Sequence, residues 1–231
     1  KYAGTEKPHI RMTERAVDPG LLDFIDVVTS SHNHTDHLDA ETLGPLLEAN
    51  PDLAMVVSRA NRTFVAQRLG MPEDRFSCLE VGEQLSHGPF TLHAVPAAHE
   101  QLDLDQEGRH PYLGFVASFG PWSIYHSGDT VLYEGIADQL SGFQLDLAML
   151  PINGRSPARD VPGNLWGREA VQLARQLGIS MVIPCHFDMF TFNTETPDEF
   201  LQQAGEQGQG GQVLQCGERF SSHQLLSRSG Q

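Results

Sequence analysis

The chain has 231 residues, 39% of them hydrophobic and 19% charged, with 22 glycines and 14 prolines, which suits a turn-rich globular chain built on sheets more than a helical bundle. A formal net charge of −15 argues against a nucleic-acid partner or docking on an anionic membrane, both of which need a basic surface, yet leaves a small anionic substrate open. Cys78, Cys185 and Cys216 form no CxxC pair and no disulfide framework, which points to a reducing, cytoplasmic setting, and no apolar run approaches the roughly 20 residues of a membrane span.

The opening segment, Lys1 to Lys7, lacks an initiator Met and does not read as a signal peptide. The apolar run Leu21 to Val28 ends in β-branched residues and predicts a strand feeding the polar stretch Thr29-Ser30-Ser31. Asp39 reads as an N-cap for a short helix over Thr42 to Leu47. Leu53 to Ser58 predicts a buried strand, and Asn61 to Leu69 an amphipathic helix closed by Gly70. Phe90 to Val95 alternates as a strand and runs into Pro96-Ala97-Ala98-His99. Tyr112 to Phe119 and Trp122 to His126 read as a hairpin turning at Gly120-Pro121. Leu145 to Pro151 and Ser180 to Pro184 read as buried strands, Arg168 to Leu177 and Pro197 to Ala204 as helices, and Val213 to Cys216 as a last strand. The order, strands first and then strands alternating with helices, indicates α/β layering. With no repeat and no linker, a single domain over 1–231 is expected.

The chemistry concentrates in His32-x-His34-x-Asp36-His37, three imidazoles and a carboxylate within six positions. Both ligand types suit borderline divalent metals. In an extended segment His32 and His34 point the same way and can grip one ion, while Asp36 and His37, past a turn, can face a second. Further ligands are expected at strand ends, where His99, Asp129 and His186 fall. His126 reads as a hydrogen-bonded buried histidine, Cys185 as core, and His9, His87, His93, His110 and His223 as non-ligands. The polar run Asp103 to Arg109 reads as a solvated loop.

Taken in order, His32-x-His34-x-Asp36-His37, His99, Asp129 and His186 resemble the metallo-β-lactamase superfamily over residues 30 to 190. The resemblance implies an αββα sandwich with metals at one edge between two sheets. It implies that His32, His34 and His99 hold one ion, that Asp36, His37 and His186 hold the other, and that Asp129 bridges them. Only about 30 residues precede the motif, fewer than the superfamily usually has, so the first sheet is expected to be short or to lack its first strands. Leu150 to Arg155, Pro184 to Phe190 and Cys216 to Phe220 resemble segments of the ascorbate-6-phosphate lactonase-like branch, the last its closing strand. Ser31 to Asp39 is shared with a phospholipase D-like relative.

Two nearby divalent ions acidify a water, polarise the bond under attack and stabilise the oxyanion. Two such ions outweigh Asp36, Asp129 and a hydroxide by about +1, which favours an anionic substrate. Asp36 takes a second role as water orienter or proton acceptor. The branch resemblance makes Asn153 and Arg155 substrate-binding candidates, since arginine forks well onto phosphate or carboxylate, although Asn-Gly also serves plain turn geometry. The expectation is a metal-dependent hydrolase of a small anionic lactone or ester, with zinc, manganese or iron as metal. A phosphodiesterase and a non-catalytic metal-binding protein of the same fold are the alternatives, and homo-oligomers are compatible with the sequence.

Overall fold

The computed structural model describes residue 4 and residues 8–225. It opens on alternating strands and helices: β1 (Val27–Ser30), α1 (Ala40–Ala49), β2 (Ala54–Ser58), α2 (Arg62–Leu69) and β3 (Phe76–Leu79). These three strands form a parallel sheet in the order β1-β2-β3. The antiparallel run β4 (Gln84–His87), β5 (Phe90–Pro96), β6 (Leu113–Phe119) and β7 (Trp122–His126) follows. After α3 (Ile136–Leu140), β8 (Leu147–Pro151), α4 (Gly167–Gln176) and β9 (Met181–Cys185) extend this second sheet in parallel to β7, and α5 (Asp198–Gln207) comes last. Alternation thus both precedes and follows the run of strands, whereas the sequence reading put strands first and alternation after them.

Period-two burial shows how the layers stack. In the first sheet Met55 and Val57 pack on Leu43, Leu47 and Val65 of α1 and α2. Val56 and Leu79 point the other way, onto Leu92, Ala94, Leu113 and Phe115 of the second sheet. The opposite face of that sheet, Val95, Val116, Tyr125, Ala148, Leu150 and Val182, packs on Ala170, Leu173 and Phe200 of α4 and α5. The result is helix, sheet, sheet, helix, as the family resemblance implies, with a first sheet of three strands.

Three short elements escape a pattern reading. β3 and α3 span four and five residues, and β4 is a polar edge strand hairpinned to β5 at Gly88. Val213 to Cys216 forms no strand. The pairing stops at a single bridge, Val182 with Gly211, and Cys216 to Phe220 is a turn and loop. Gly210 runs so close to the Ser180 carbonyl that a Cβ there would collide. Val213 and Leu214 nonetheless pack on the core from this loop, which explains an apolar signal without a strand.

Because β5, β7, β8 and β9 run parallel to one another, their carboxyl ends share one edge of the second sheet. The Leu113 N–H at the start of β6 donates to the Ser31 carbonyl at 3.0 Å, joining the loop after β1 to that edge.

Candidate metal centre

The seven sequence candidates converge at this edge, in two groups. His32, His34 and His99 form one; Asp36, His37, Asp129 and His186 form the other, and within each group the ligand atoms lie within 4.8 Å of one another. The tetrad does not stay extended as read from sequence. It coils in bends and turns, the His37 and Leu38 N–H groups both donating to the His34 carbonyl, and the His32 and His34 rings still meet at 4.5 Å. Asp129 lies between the groups: Oδ1 is 3.1 Å from His37 Nε2, and Oδ2 is 3.3 Å from His99 Nε2 and 3.2 Å from His186 Nε2. Asp36 Oδ2 is 3.3 Å from His186 Nε2.

Local structure explains each placement. The Ser31 hydroxyl lies 3.0 Å from both His32 Nδ1 and His37 Nδ1. With both rings protonated on Nδ1, the hydroxyl accepts from both on its two lone pairs, and Nε2 of each ring is free to coordinate. His99 Nδ1 donates to the Gly163 carbonyl at 3.0 Å with the same consequence. Asp129 follows Gly128, whose φ of +61° suits glycine, and a Cβ there would press on Ser31. Val131 N–H donates to Ala98 O at 2.7 Å, and Thr130 Oγ1 accepts from Ala98 N–H at 3.1 Å, so the Asp129 and His99 loops are stitched together. His186 takes the left-handed conformation at φ +60°. A non-glycine residue accepts this, at roughly 1 kcal/mol or more, where surroundings demand it.

The electrostatics follow from burial and from the packing of the two groups. Burial, then the neighbouring His37, holds His32 well below the usual histidine range. Burial, then His99, lowers His34 as well. His186 runs the other way. Burial opposes its charge, but Asp129 and Asp36 outweigh burial and hold it well above its ordinary value. Burial likewise opposes the Asp36 and Asp129 charges, and the histidines outweigh it, so both carboxylates are held low. Buried atoms with no hydrogen-bond partner among the described residues include His32 Nε2, His37 Nε2, Asp129 Oδ1 and His186 Nε2. Buried polar atoms without partners are costly. Imidazoles and carboxylates aimed at common points, with such atoms left over, fit divalent cations.

A cavity of about 370 Å³ opens over the cluster, lined by His34, Asp36, His99, Asp129 and His186 from the ligand set. Other wall residues that the sequence reading did not assign to the site include His9, Phe64, Arg68 and Phe192. His9 arrives because residues 8–12 pair with the loop after β9, through the Arg11–Phe190 bridge and Met12 N–H to Met189 O. Its ring stands edge-on to Phe190 and Phe192. His126 accepts the Gly128 N–H at 3.2 Å and joins neither ligand group. Burial, then Asp129, pushes the Cys185 thiol up to about 12, so it is inert. Asp103 to Arg109 is closed by its own hydrogen bonds and does not line the cavity.

Asn153 and Arg155, the substrate-binding candidates, do not line the cavity either. The Arg155 fork is taken by Glu169, at 2.7 Å on both oxygens, and its Nη1 also donates to Asn164 O. Its stem packs where a Cβ on Gly163 would sit. Asn153 is fully buried and donates to Asn193 Oδ1 at 3.0 Å. Arg155 thus braces the loop that holds His99, and Asn153 braces the loop after β9.

Residues 5–187 match the family model of the beta-lactamase superfamily domain. The chain is 27% identical over 203 residues to a UPF0173 metal-dependent hydrolase of Metallosphaera sedula, which spans 85% of this chain and 81% of that one. It is 24% identical over 213 residues to a probable L-ascorbate-6-phosphate lactonase of Salmonella heidelberg, covering 86% of this chain but only 60% of the lactonase. Among solved structures, an isothiocyanate hydrolase from Delia radicum gut bacteria superposes with a TM-score of 0.71 at 19% identity, over 94% of this chain and 84% of the other. That likeness speaks to the fold.

Proposed function

The chain belongs to the beta-lactamase superfamily and is a metal-dependent hydrolase; from that premise we propose that it opens a small anionic lactone or ester at a dinuclear site. The observation that carries the two-metal reading is Asp129, whose oxygens reach His99 of one group and His37 and His186 of the other. In this reading His32, His34 and His99 would hold one ion and Asp36, His37 and His186 the second, with Asp129 shared between the two groups. Zinc suits the donor set best, with manganese or iron as alternatives. When bound, the ions supply Lewis-acid polarisation of the acyl oxygen and an acidified water.

The chain's own residues do the rest. Asp36 orients the attacking water and accepts its proton. The water oxygen bonds to the acyl carbon, the acyl–oxygen bond of the ring breaks, and the released ring oxygen takes the proton. His99, propped on Gly163, and His32 and His37, propped on Ser31, keep their rings fixed throughout. Two divalent ions outweigh the charge of Asp36 and Asp129, which favours an anionic substrate. A cavity of about 370 Å³ suits a small molecule. The similarity to the lactonase supports the lactone reading.

The test is to strip the protein with chelator and restore it separately with zinc and manganese. Each form is then assayed on carboxylated and phosphorylated lactones, a neutral lactone and a model phosphodiester. Turnover of the anionic lactones, and its loss in Asp36→Ala, is expected. Cleavage of the phosphodiester alone, or bound metal well below one ion per chain after supplementation, overturns the proposal.

A further inference from the structure

We infer that Arg68 is the residue that recognises the anionic group, a carboxylate or a phosphate monoester, of the substrate. This rests on the hydrolase reading above and names the specificity-determining contact of the same site. Arg68 lies in the last turn of α2, far in sequence from every ligand, and is the one arginine or lysine among the described residues that line the cavity over the metal cluster. Its placement is built. Nη1 donates to the Asn33 carbonyl at 2.6 Å and the Leu38 carbonyl at 3.2 Å. Asn33 stands between His32 and His34, so the guanidinium is tied directly to the ligand loop. Phe64, one turn earlier on α2, places its ring 4.4 Å below the guanidinium carbon, a stacking contact that fixes the plane.

Those contacts consume one nitrogen and one face. Nε and Nη2 have no partner among the described residues. Among the described residues no carboxylate pairs with Arg68, although the chain carries 30 acidic residues and Arg59, Arg62, Arg109, Arg155, Arg159 and Arg168 each pair with at least one. The unused edge is the one with which arginine makes two parallel bonds to a carboxylate or phosphate. A half-buried guanidinium, oriented by two carbonyls and an aromatic ring and left with that edge open in a cavity wall, is pre-organised for an oxyanion. Lysine would supply a charge there but neither the fork nor the stacking plane.

The experiment compares wild type with Arg68→Gln and Arg68→Lys. It measures kcat and KM on a carboxylated lactone, a phosphorylated lactone and a neutral lactone. It also measures metal content, and binding of inorganic phosphate by calorimetry. For Arg68→Gln the expected result is a 10- to 100-fold loss of kcat/KM on the anionic substrates, carried by KM, on the scale of about 1.5–3 kcal/mol for a charge-assisted bond. The neutral lactone should stay within about threefold, because it makes no such bond. With metal in excess the bound stoichiometry should not change, and phosphate binding should weaken at least tenfold. Arg68→Lys should recover part of the loss. A loss confined to one anionic substrate assigns the group as carboxylate or phosphate. Equal losses on anionic and neutral substrates, or reduced metal content, would make Arg68 a mere tether of the ligand loop and overturn the inference. Unchanged KM for the anionic substrates would overturn it too. If wild type turns over no lactone yet binds phosphate through Arg68, the hydrolase substrate reading fails and the anion site stands.

Discussion

Replacing Arg155 by alanine separates a propping role from a substrate contact. The structure gives the guanidinium three bonds: two to Glu169 at 2.7 Å and one to Asn164 O at 3.1 Å. Its side chain is 41% exposed, so the ion pair is discounted to about 0.5–1 kcal/mol. The bond to Asn164 O adds about 1 kcal/mol. Arg155→Ala is therefore expected to cost about 2 kcal/mol, a fall in Tm of about 4–8 °C for a chain of this size. The effect on metal follows from geometry. Arg155 packs on Gly163, and Gly163 O holds His99 Nδ1. Removing a group that directly orients a ligand histidine costs about 10- to 100-fold in metal affinity. Arg155 acts one contact further out, so a loss toward the lower limit, about tenfold, is expected. Thermal melts give the first number, and competition with a chromogenic chelator gives the second. The ratio of KM for anionic and neutral substrates should not move. A selective rise in KM for anionic substrates, with metal affinity intact, would refute the propping argument and return Arg155 to the substrate.

Ser31→Ala should weaken metal binding about 10- to 100-fold, because one hydroxyl orients His32 and His37, one from each group. Metal titration with stoichiometry checks it, and full-affinity binding would contradict it. His126→Gln addresses acid stability. Burial, then the nearby His37, pushes His126 down to about 4, so below about 6.5 the unfolded chain takes up a proton that the folded ring refuses. Wild-type stability should accordingly fall as pH drops from about 6.5 to about 4, by at most about 3 kcal/mol from this group, less for the ring's remaining solvent contact. Urea denaturation across that range should show a shallower fall in the variant, and parallel curves would contradict the assignment.

The ligand set was legible because its chemistry is carried by residue type and by place. His99, Asp129 and His186 each follow a strand whose apolar run is unmistakable, and parallel strands must present their carboxyl ends together. The supporting residues carry no such mark. Ser31 is one of several polar residues entering the loop, and only the folded turn places its oxygen beside two rings. Arg68 was read as part of an amphipathic helix, since its bonds to Asn33 and Leu38 cross 35 and 30 residues. Arg155 was read by its own chemistry, a fork suited to an anion. Glu169, fourteen residues on at the start of α4, fills that fork and accepts the Trp166 N–H as well. An arginine's partner is decided by tertiary packing, and local pattern does not contain it.

The same contacts make the two ligand groups one mechanical unit. Asp129 touches histidines of both groups, and Ser31 holds a ring of each. Gly128, next to Asp129 in sequence, is pressed against the Ser31 side chain so closely that a methyl group would not fit. The residue next to Asp129 therefore packs against Ser31, one from the loop after β7 of the second sheet and the other from the loop after the first strand of the first. A shift of either sheet relative to the other moves both shared residues at once. Closing the sandwich and setting the ligand geometry are thus the same event. That accounts for the small residues Ser31 and Gly128 at the contact, and for His186 accepting a left-handed backbone to reach a centre whose place the other two loops dictate.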